Sequence, residues 1–301
     1  MFIADGHCDS IMRLHEGNPL VCTHNFSAKH PQVQMTAIFS HTTEKFYEYL
    51  RDFQAALACE HDCIEQVRDY DEIESVLGKG KHAALLTMEG GAGITSAQTV
   101  RDFYDVGVRV MGLAWHSTDM AVSSRFREEG IPDTGLSPLG REVIAAGNAC
   151  GMIFDVSHLS DESTLDVLEC AQKPPVATHS SMRALCEHSR NLPDELARAL
   201  VARGGMIGIN LYPPFLQKDS KACTVAHYFA HVDYALSLVG ANAVGLGGDI
   251  DGVGGRYPAP LNEQSSIPDD LMEYMARHNY TDELIQKVMG ANWLSFLQRW
   301  L

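Results

Sequence analysis

Two residues near the start of the chain, His7 and Asp9, stand two apart in DGHCD at residues 5–9, where a short apolar stretch ends. Along a strand, side chains alternate faces, so His7 and Asp9 would point one way and Cys8 the other. An imidazole nitrogen beside a carboxylate oxygen on a rigid strand suits a borderline metal such as zinc, while a solvated strand end is the plainer reading. Glu89 closes the apolar run LLTME and is followed by Gly90 and Gly91. A carboxylate there is costly unless paired or on a metal, and it has two oxygens with which to bridge two cations. The competing reading is an ordinary loop or capping glutamate. His158 in IFDVSHLS and His179 in PPVATHSS close two successive apolar runs, which would make them neighbours on one rim of a parallel sheet. Asp249 follows in GGDIDG. A carboxylate beside an activated water can accept its proton, although an Asp-Gly turn also accounts for part of this segment. His116 in GLAWHST and Arg190 beyond His179 complete the set. A histidine can stabilise an oxyanion, and an arginine can grip a carboxylate with two parallel hydrogen bonds.

The elements that would position these residues read as short apolar strands alternating with amphipathic stretches. The strand candidates are Phe2–Ala4, Met35–Phe39, Ala83–Met88, Val108–Leu113, Met152–Asp155, Val176–Thr178, Met206–Asn210 and Ala243–Leu246, nearly all apolar, as strands buried on both faces should be. The longest helical stretch is Glu44–Val67, and further helices open at Ser137-Pro138, Ser160-Asp161-Glu162 and Thr281-Asp282-Glu283, each with a capping residue. Ser117–Leu136 and Gly252–Pro268 read as loops following strand ends. Eight strand–helix units predict a (β/α)8 barrel of the TIM type over residues 1–301 as one domain. Such a barrel needs roughly 250 residues, and its active site lies at the C-terminal strand ends, where every residue named above falls. An open doubly wound sheet is the alternative, but no GxGxxG follows the first strand.

Composition excludes several other classes. Against 39 acidic residues stand 23 Lys and Arg, a formal charge of −16, which is unsuited to nucleic acid because phosphate contacts need clustered cations. Eight cysteines in 301 residues are too sparse for a disulfide scaffold, and Cys59 and Cys63 have no second pair at zinc-finger spacing. Most are expected to be buried free thiols. No apolar run reaches the ~18 residues of a membrane span, and no signal peptide is visible before the first strand, so a cytoplasmic location without membrane attachment is expected. Five ligand-type residues at four strand ends imply metal-assisted hydrolysis, with two cations holding a hydroxide whose pKa is brought near neutrality.

The sequence also resembles the membrane (renal) dipeptidase family of zinc metallopeptidases, in its soluble bacterial-type form and within the amidohydrolase-like superfamily of metal-dependent hydrolases. The resemblance runs nearly end to end: DGHCD at 5–9, EGG at 89–91, LAWHS around His116, GLSPLGREVI at 135–144, DVSHLS at 155–160, THSSMRALCEHSRNLPDEL at 178–196 and AVGLGGDIDGV at 243–253. It implies that His7 and Asp9 hold one Zn2+ ion, that His158 and His179 hold a second, and that Glu89 bridges the two. It implies that His116 contacts the substrate and stabilises the tetrahedral intermediate, that Arg190 binds the C-terminal carboxylate of a dipeptide, and that Asp249 moves protons between the attacking water and the leaving amine. Asp9, at the metal site, would also meet the free amine of the substrate. Hydrolysis of L-Xaa-L-Xaa and L-Xaa-D-Xaa dipeptides, and a homodimer, are implied as well. Cys8 stands where relatives often carry Asn, on the far side of the strand. The alternative is another binuclear-metal amidohydrolase, of lactonase or deaminase type, against which Arg190 speaks because a carboxylate clamp suits a free C-terminus. A non-enzymatic binding protein would have lost ligands, and none of the matched positions is lost.

Overall fold

Strand pairing builds the frame of the molecule. The computed structural model describes residues 2–20, 30–252, 261 and 266–301; Cys22 and most of the Gly252–Pro268 stretch lie outside them. Eight strands are formed: β1 (Ile3–Cys8), β2 (Gln32–Phe39), β3 (Ile64–Val67), β4 (His82–Glu89), β5 (Val110–Gly112), β6 (Ile153–Asp155), β7 (Ile207–Asn210) and β8 (Val244–Gly247). They make one sheet in the order β6-β5-β4-β2-β1-β8-β7, with β3 against β4, and every pairing is parallel. Parallel neighbours need crossovers, which here are mostly helical: α1 (Thr43–Cys59), α2 (Tyr70–Gly78), α3 (Ala97–Asp105), α4 (Phe126–Glu129), α5 (Pro138–Cys150), α6 (Asp161–Cys170), α7 (Asp194–Ala202), α8 (Pro213–Leu216) and α9 (Val225–Val239), followed by α10 (Ile267–Arg277), α11 (Asp282–Gln286) and α12 (Asn292–Trp300). The result is an α/β fold whose parallel sheet curls around its own interior.

The starts of three helices follow their expected caps. Ser137, Ser160 and Thr281 accept from the backbone N–H groups of Gly140, Ser163 and Leu284, relieving donors that the first helical turn leaves unpaired. The Glu44–Val67 expectation is corrected. The helix ends at Cys59, and Ile64–Val67 is strand β3, paired with residues 82–85 of β4. Ile64 and Val67 are the buried residues of that strand; their spacing of three mimics a helical face, and pairing with β4 overrides it.

The expected strand Val176–Thr178 is also corrected. Only single parallel bridges form there, Asp155 with Val176 and Ala177 with Ile207. Pro174 and Pro175 precede it and supply no N–H for a longer ladder. These bridges nevertheless lie between β6 and β7, the two ends of the sheet order. Packing pins the segment closely: a Cβ at Gly6, Gly208 or Gly247 would stand 2.3, 2.1 or 2.3 Å from the Thr178 carbonyl oxygen, so three strands approach Thr178 through glycine.

Core packing fills both faces of the sheet. A large cluster joins the strands to the helices through Phe46, Phe103, Phe154 and Tyr228. A smaller one gathers Ala4, Val33, Met35, Leu85, Val110, Ile153 and Val176 around Trp293 of α12, whose indole N–H donates to the Leu246 carbonyl at 2.9 Å. The seven described cysteines are free, but only Cys8, Cys186 and Cys223 are buried, fewer than expected. Cys59 and Cys63 are exposed because they flank the end of α1 on the surface.

Candidate metal centre and active site

The strand ends bring the expected residues to one place. β1 gains a residue against β2 between Asp5 and Cys8, where Asp5 pairs with Gln34 and Cys8 with Thr36. Such a bulge re-aims the side chains beyond it. Cys8 joins the large core cluster and its thiol meets Ser10 Oγ at 2.8 Å, while His7 and Asp9 meet each other, Nε2 to Oδ2, at 3.4 Å. β8 lies against β1, with Asp5 opposite Leu246 and Cys8 bridged to Ile250. That places Asp249 beside His7 and Asp9, close enough for the three to share an ion. Asp249 has a left-handed backbone, φ 53°, unusual outside glycine.

Glu89 lies at the centre. Its Oε2 is 3.8 Å from His7 Nε2, and its Oε1 is 2.7 Å from His158 Nε2 and 3.6 Å from His179 Nε2, so the two oxygens face different sides of the site. The turn after it needs glycine. Gly90 and Gly91 have φ 92° and 65°, and a Cβ on Gly91 would stand 2.2 Å from the Leu113 carbonyl oxygen. His158 and His179 are 2.9 Å apart through their Nε2 atoms, and His7 stacks on His179 with ring centres 3.8 Å apart. His7, Glu89 and His179 form one group able to share an ion, and His7, Asp9 and Asp249 form another.

Arg190 is buried beside this ring. Its Nη2 meets His158 Nε2 and donates to the His179 carbonyl, both at 3.2 Å. Its Nε has no hydrogen-bond partner among the described residues. A cavity of about 480 Å³ opens above, lined among others by Asp9, Glu89, His158, Arg190 and Asp249, with Trp115, Tyr212 and Phe215 as aromatic wall. His116 is not among its lining residues. Its side chain is 52% exposed and its Nδ1 meets Glu129 Oε1 at 3.0 Å.

Burial and charge leave the ring in need of positive charge. Burial, then Asp9, drives Glu89 well above the usual carboxylate range. Burial raises Asp249 to about 6 against the pull of His7. Burial opposes a charge on His7, yet Asp9 and Glu89 outweigh it and push its pKa up to about 10. Burial, with Arg190 and His7, drives His158 and His179 well below the histidine range, which leaves their nitrogen lone pairs available to a metal. His7 Nε2 and Asp9 Oδ1 are buried without a hydrogen-bond partner among the described residues. Buried polar atoms are normally satisfied, and a cation is the partner that imidazole and carboxylate donors share. The residues therefore fit a metal.

Several residues of the site escaped the sequence reading. Asn210, at the end of β7, donates to Asp249 Oδ2 at 3.1 Å and to the His179 carbonyl at 3.3 Å. Asp5 accepts from Gly248 N–H at 2.6 Å, tying β1 to β8 below the ligands. Asp155 and Thr178 stand behind His179. Alternation gives a signal for some of them: Asp155 shares a face with Ile153, and Asn210 with Met206, both members of the smaller core cluster around Trp293.

Comparison with known proteins adds a second line of support. The profile of a family described as membrane dipeptidase, peptidase family M19, matches residues 1–299. The chain is 35% identical over 235 residues to an uncharacterized dipeptidase of Schizosaccharomyces pombe, covering 77% of this chain and 55% of that protein. It is 34% identical over 237 residues to dipeptidase 3 of Homo sapiens, covering 75% of this chain and 48% of that protein. The chain thus spans about half the length of the curated relatives it matches. Among solved structures, a metallo peptidase of Rhodobacter sphaeroides liganded with a phosphinate mimic of L-Ala-D-Ala superposes with TM-score 0.90 at 21% identity, covering 100% of this chain and 99% of that one. At that identity the likeness concerns the fold.

Proposed function

Given that the chain belongs to the membrane dipeptidase family, peptidase family M19, we propose that it is a zinc-dependent dipeptidase with two ions per chain, bridged by Glu89. The observation that carries this reading is the convergence of His7, Asp9, Glu89, His158, His179 and Asp249 with Arg190 at one cavity. The split of the Glu89 oxygens between His7 on one side and His158 and His179 on the other supports a bridging role. His7 and Asp9 then serve one ion, and His158 and His179 the other. We read residues 1–301 as one (β/α)8-barrel domain in which residues 176–178 take the place between β6 and β7.

When bound, the ions would polarise the scissile carbonyl and lower the pKa of a water. The chain's own residues do the rest. Asp249, held by Asn210, accepts the proton of the attacking water and passes it to the leaving amine. Arg190 takes the free C-terminal carboxylate of the substrate, and Asp9 meets the free amine at the other end. With its Nδ1–H held by Glu129, His116 in its doubly protonated form has an Nε2–H to donate to the substrate oxygen. Gripping both backbone ends limits the substrate to two residues and leaves the second side chain between Trp115, Tyr212 and Phe215, where either chirality fits. The L-Ala-D-Ala mimic on the similar Rhodobacter sphaeroides protein supports that substrate class.

The test compares L-Ala-L-Ala, L-Ala-D-Ala, their C-terminal amides and a tripeptide. Turnover of both free dipeptides with poor rates on the amides and the tripeptide is expected. Equal rates on amide and acid would end the Arg190 clamp, and efficient tripeptide cleavage would remove the dipeptidase reading.

A further inference from the structure

We propose that Asp155 and Thr178 are positioning residues that fix the tautomer of His179, so that Nε2 is the ring atom it offers to the metal centre. The inference rests on the reading of His179 as a ligand.

The hydrogens around Thr178 fix which way each bond runs. Asp155, at the end of β6, is buried among donors. Its Oδ1 accepts from Ser157 N–H at 3.0 Å, Ser157 Oγ–H at 2.6 Å and Thr178 N–H at 3.0 Å. Its Oδ2 accepts from Thr178 Oγ1 at 2.5 Å. A hydroxyl has one hydrogen, and here the carboxylate takes it. Toward His179 Nδ1, 2.8 Å away, Thr178 Oγ1 is therefore an acceptor, and Nδ1 must carry the ring proton. The other nitrogen, Nε2, is left with its lone pair on the side of Glu89 and His158. A ligand histidine whose remote N–H is held by an acceptor has its ring orientation set and its donor strength raised. A hydroxyl relays the carboxylate in this case.

The backbone around Thr178 is held as firmly as its hydroxyl. Its carbonyl oxygen lies against Gly6, Gly208 and Gly247, and His179 N–H donates to Ser157 Oγ at 3.1 Å. His158 makes an internal contrast, since its Nδ1 is buried with no hydrogen-bond partner among the described residues. Of the two histidines facing Glu89 Oε1, His179 alone is seen with such a chain behind it.

The tautomer can be read directly from long-range 1H–15N spectra of the histidine side chains in the metal-stripped protein. The expected wild-type pattern for His179 is a protonated Nδ1 and an unprotonated Nε2. Thr178→Val keeps the shape of the side chain and removes the hydroxyl, and His179 should then shift toward protonated Nε2. Zinc affinity measured by competition with a chelator should fall ~10- to 100-fold, and Thr178→Ser should restore both readouts. A protonated Nε2 in the wild type, or an unchanged tautomer in Thr178→Val, would overturn the proposal. The expected tautomers with unchanged zinc affinity would uphold the relay and overturn the ligand role of His179. If Thr178→Val fails to fold, the wild-type spectrum alone decides the matter.

Discussion

The inner ring of the site and the segment over its rim, residues 116–136, differ in how they hold their side chains. In the ring, His7, Asp9, Glu89, His179 and Arg190 are at most 7% exposed; strands β1 and β4 carry His7 and Glu89, and buried hydrogen bonds hold His179 and Arg190. In the rim segment, the side chains of His116, Arg125 and Glu128 are 52%, 35% and 61% exposed. That segment is anchored through its buried stretch Met120–Ser124, by hydrogen bonds such as Ser124 N–H to the His158 carbonyl at 2.8 Å and Val122 N–H to Ser163 Oγ at 3.0 Å, and by single bridges from Ala121 to Leu136 and Ser123 to Leu159. Groups that must hold metals within tenths of an ångström belong on rigid elements, whereas groups that meet variable side chains gain from adaptable ones. The difference teaches that the buried ring side chains are fixed by their surroundings, whereas the exposed rim side chains His116, Arg125 and Glu128 are held through surface ion pairs.

The largest effects should come from the ring. Asp249→Asn removes the proton acceptor and should lower kcat by ~100- to 10,000-fold, with metal content near that of the wild type. Metal loss in step with activity would make Asp249 a ligand and redraw the ring. Arg190→Lys exchanges a fork for a point charge. It should raise KM by about 10-fold and lower kcat less, as steady-state kinetics on L-Ala-D-Ala would show. A change confined to kcat would place Arg190 at the reacting atoms instead.

The rim should yield smaller changes of another kind. Glu129→Gln weakens the hold on His116 Nδ1, also loosening contacts to Ser117 N–H and Ser123 Oγ–H. A fall in kcat of about 10-fold with full metal occupancy is expected, from the loss of a charge-assisted hydrogen bond. If metal content fell too, the two regions would not be separable.

The smallest effect on activity, but a measurable one on stability, should follow from His231 in α9. Its Nδ1 accepts from Met182 N–H at 3.0 Å and its Nε2 meets the Leu216 carbonyl at 2.9 Å, joining the loop that carries Arg190 to the wall that carries Phe215. Burial, aided by His227 and opposed by the Leu216 bond, pushes its pKa down from 6.5 to about 4. Between those values the unfolded chain binds a proton that the folded chain refuses. Stability is thus fully present above pH 6.5 and declines as pH falls toward 4, by on the order of 3 kcal/mol from this group. Denaturant melts of wild type and His231→Gln across that range should differ in slope, and parallel slopes would contradict the assignment.

How much of this was legible in the sequence follows the same division. The ring residues stand where apolar runs end, and parallel strands bring such ends together, so local pattern located His7, Asp9, Glu89, His158, His179 and Asp249 without coordinates. Strand β3 was hidden because Ile64 and Val67 keep a helical spacing, and only pairing with β4, the next strand along the chain, reveals it. Residues 176–178 read as a full strand because three apolar or β-branched residues fit that pattern, while the prolines before them limit the pairing to single bridges. Thr178, Asp155 and Asn210 went unread because an unremarkable polar residue declares its part only through the atom it touches. The exposure of His116 could not be foreseen for the same reason: its Nδ1 is held by Glu129, thirteen residues away.

The central claim, that the ring holds two ions bridged by Glu89, is tested most directly by zinc titration of metal-stripped wild type and Glu89→Gln, with dipeptide hydrolysis followed in parallel. The account predicts two ions per wild-type chain with activity restored on binding, and in Glu89→Gln loss of the second ion with at least ~100-fold lower activity. Two tightly held ions and near-normal turnover in Glu89→Gln would contradict it.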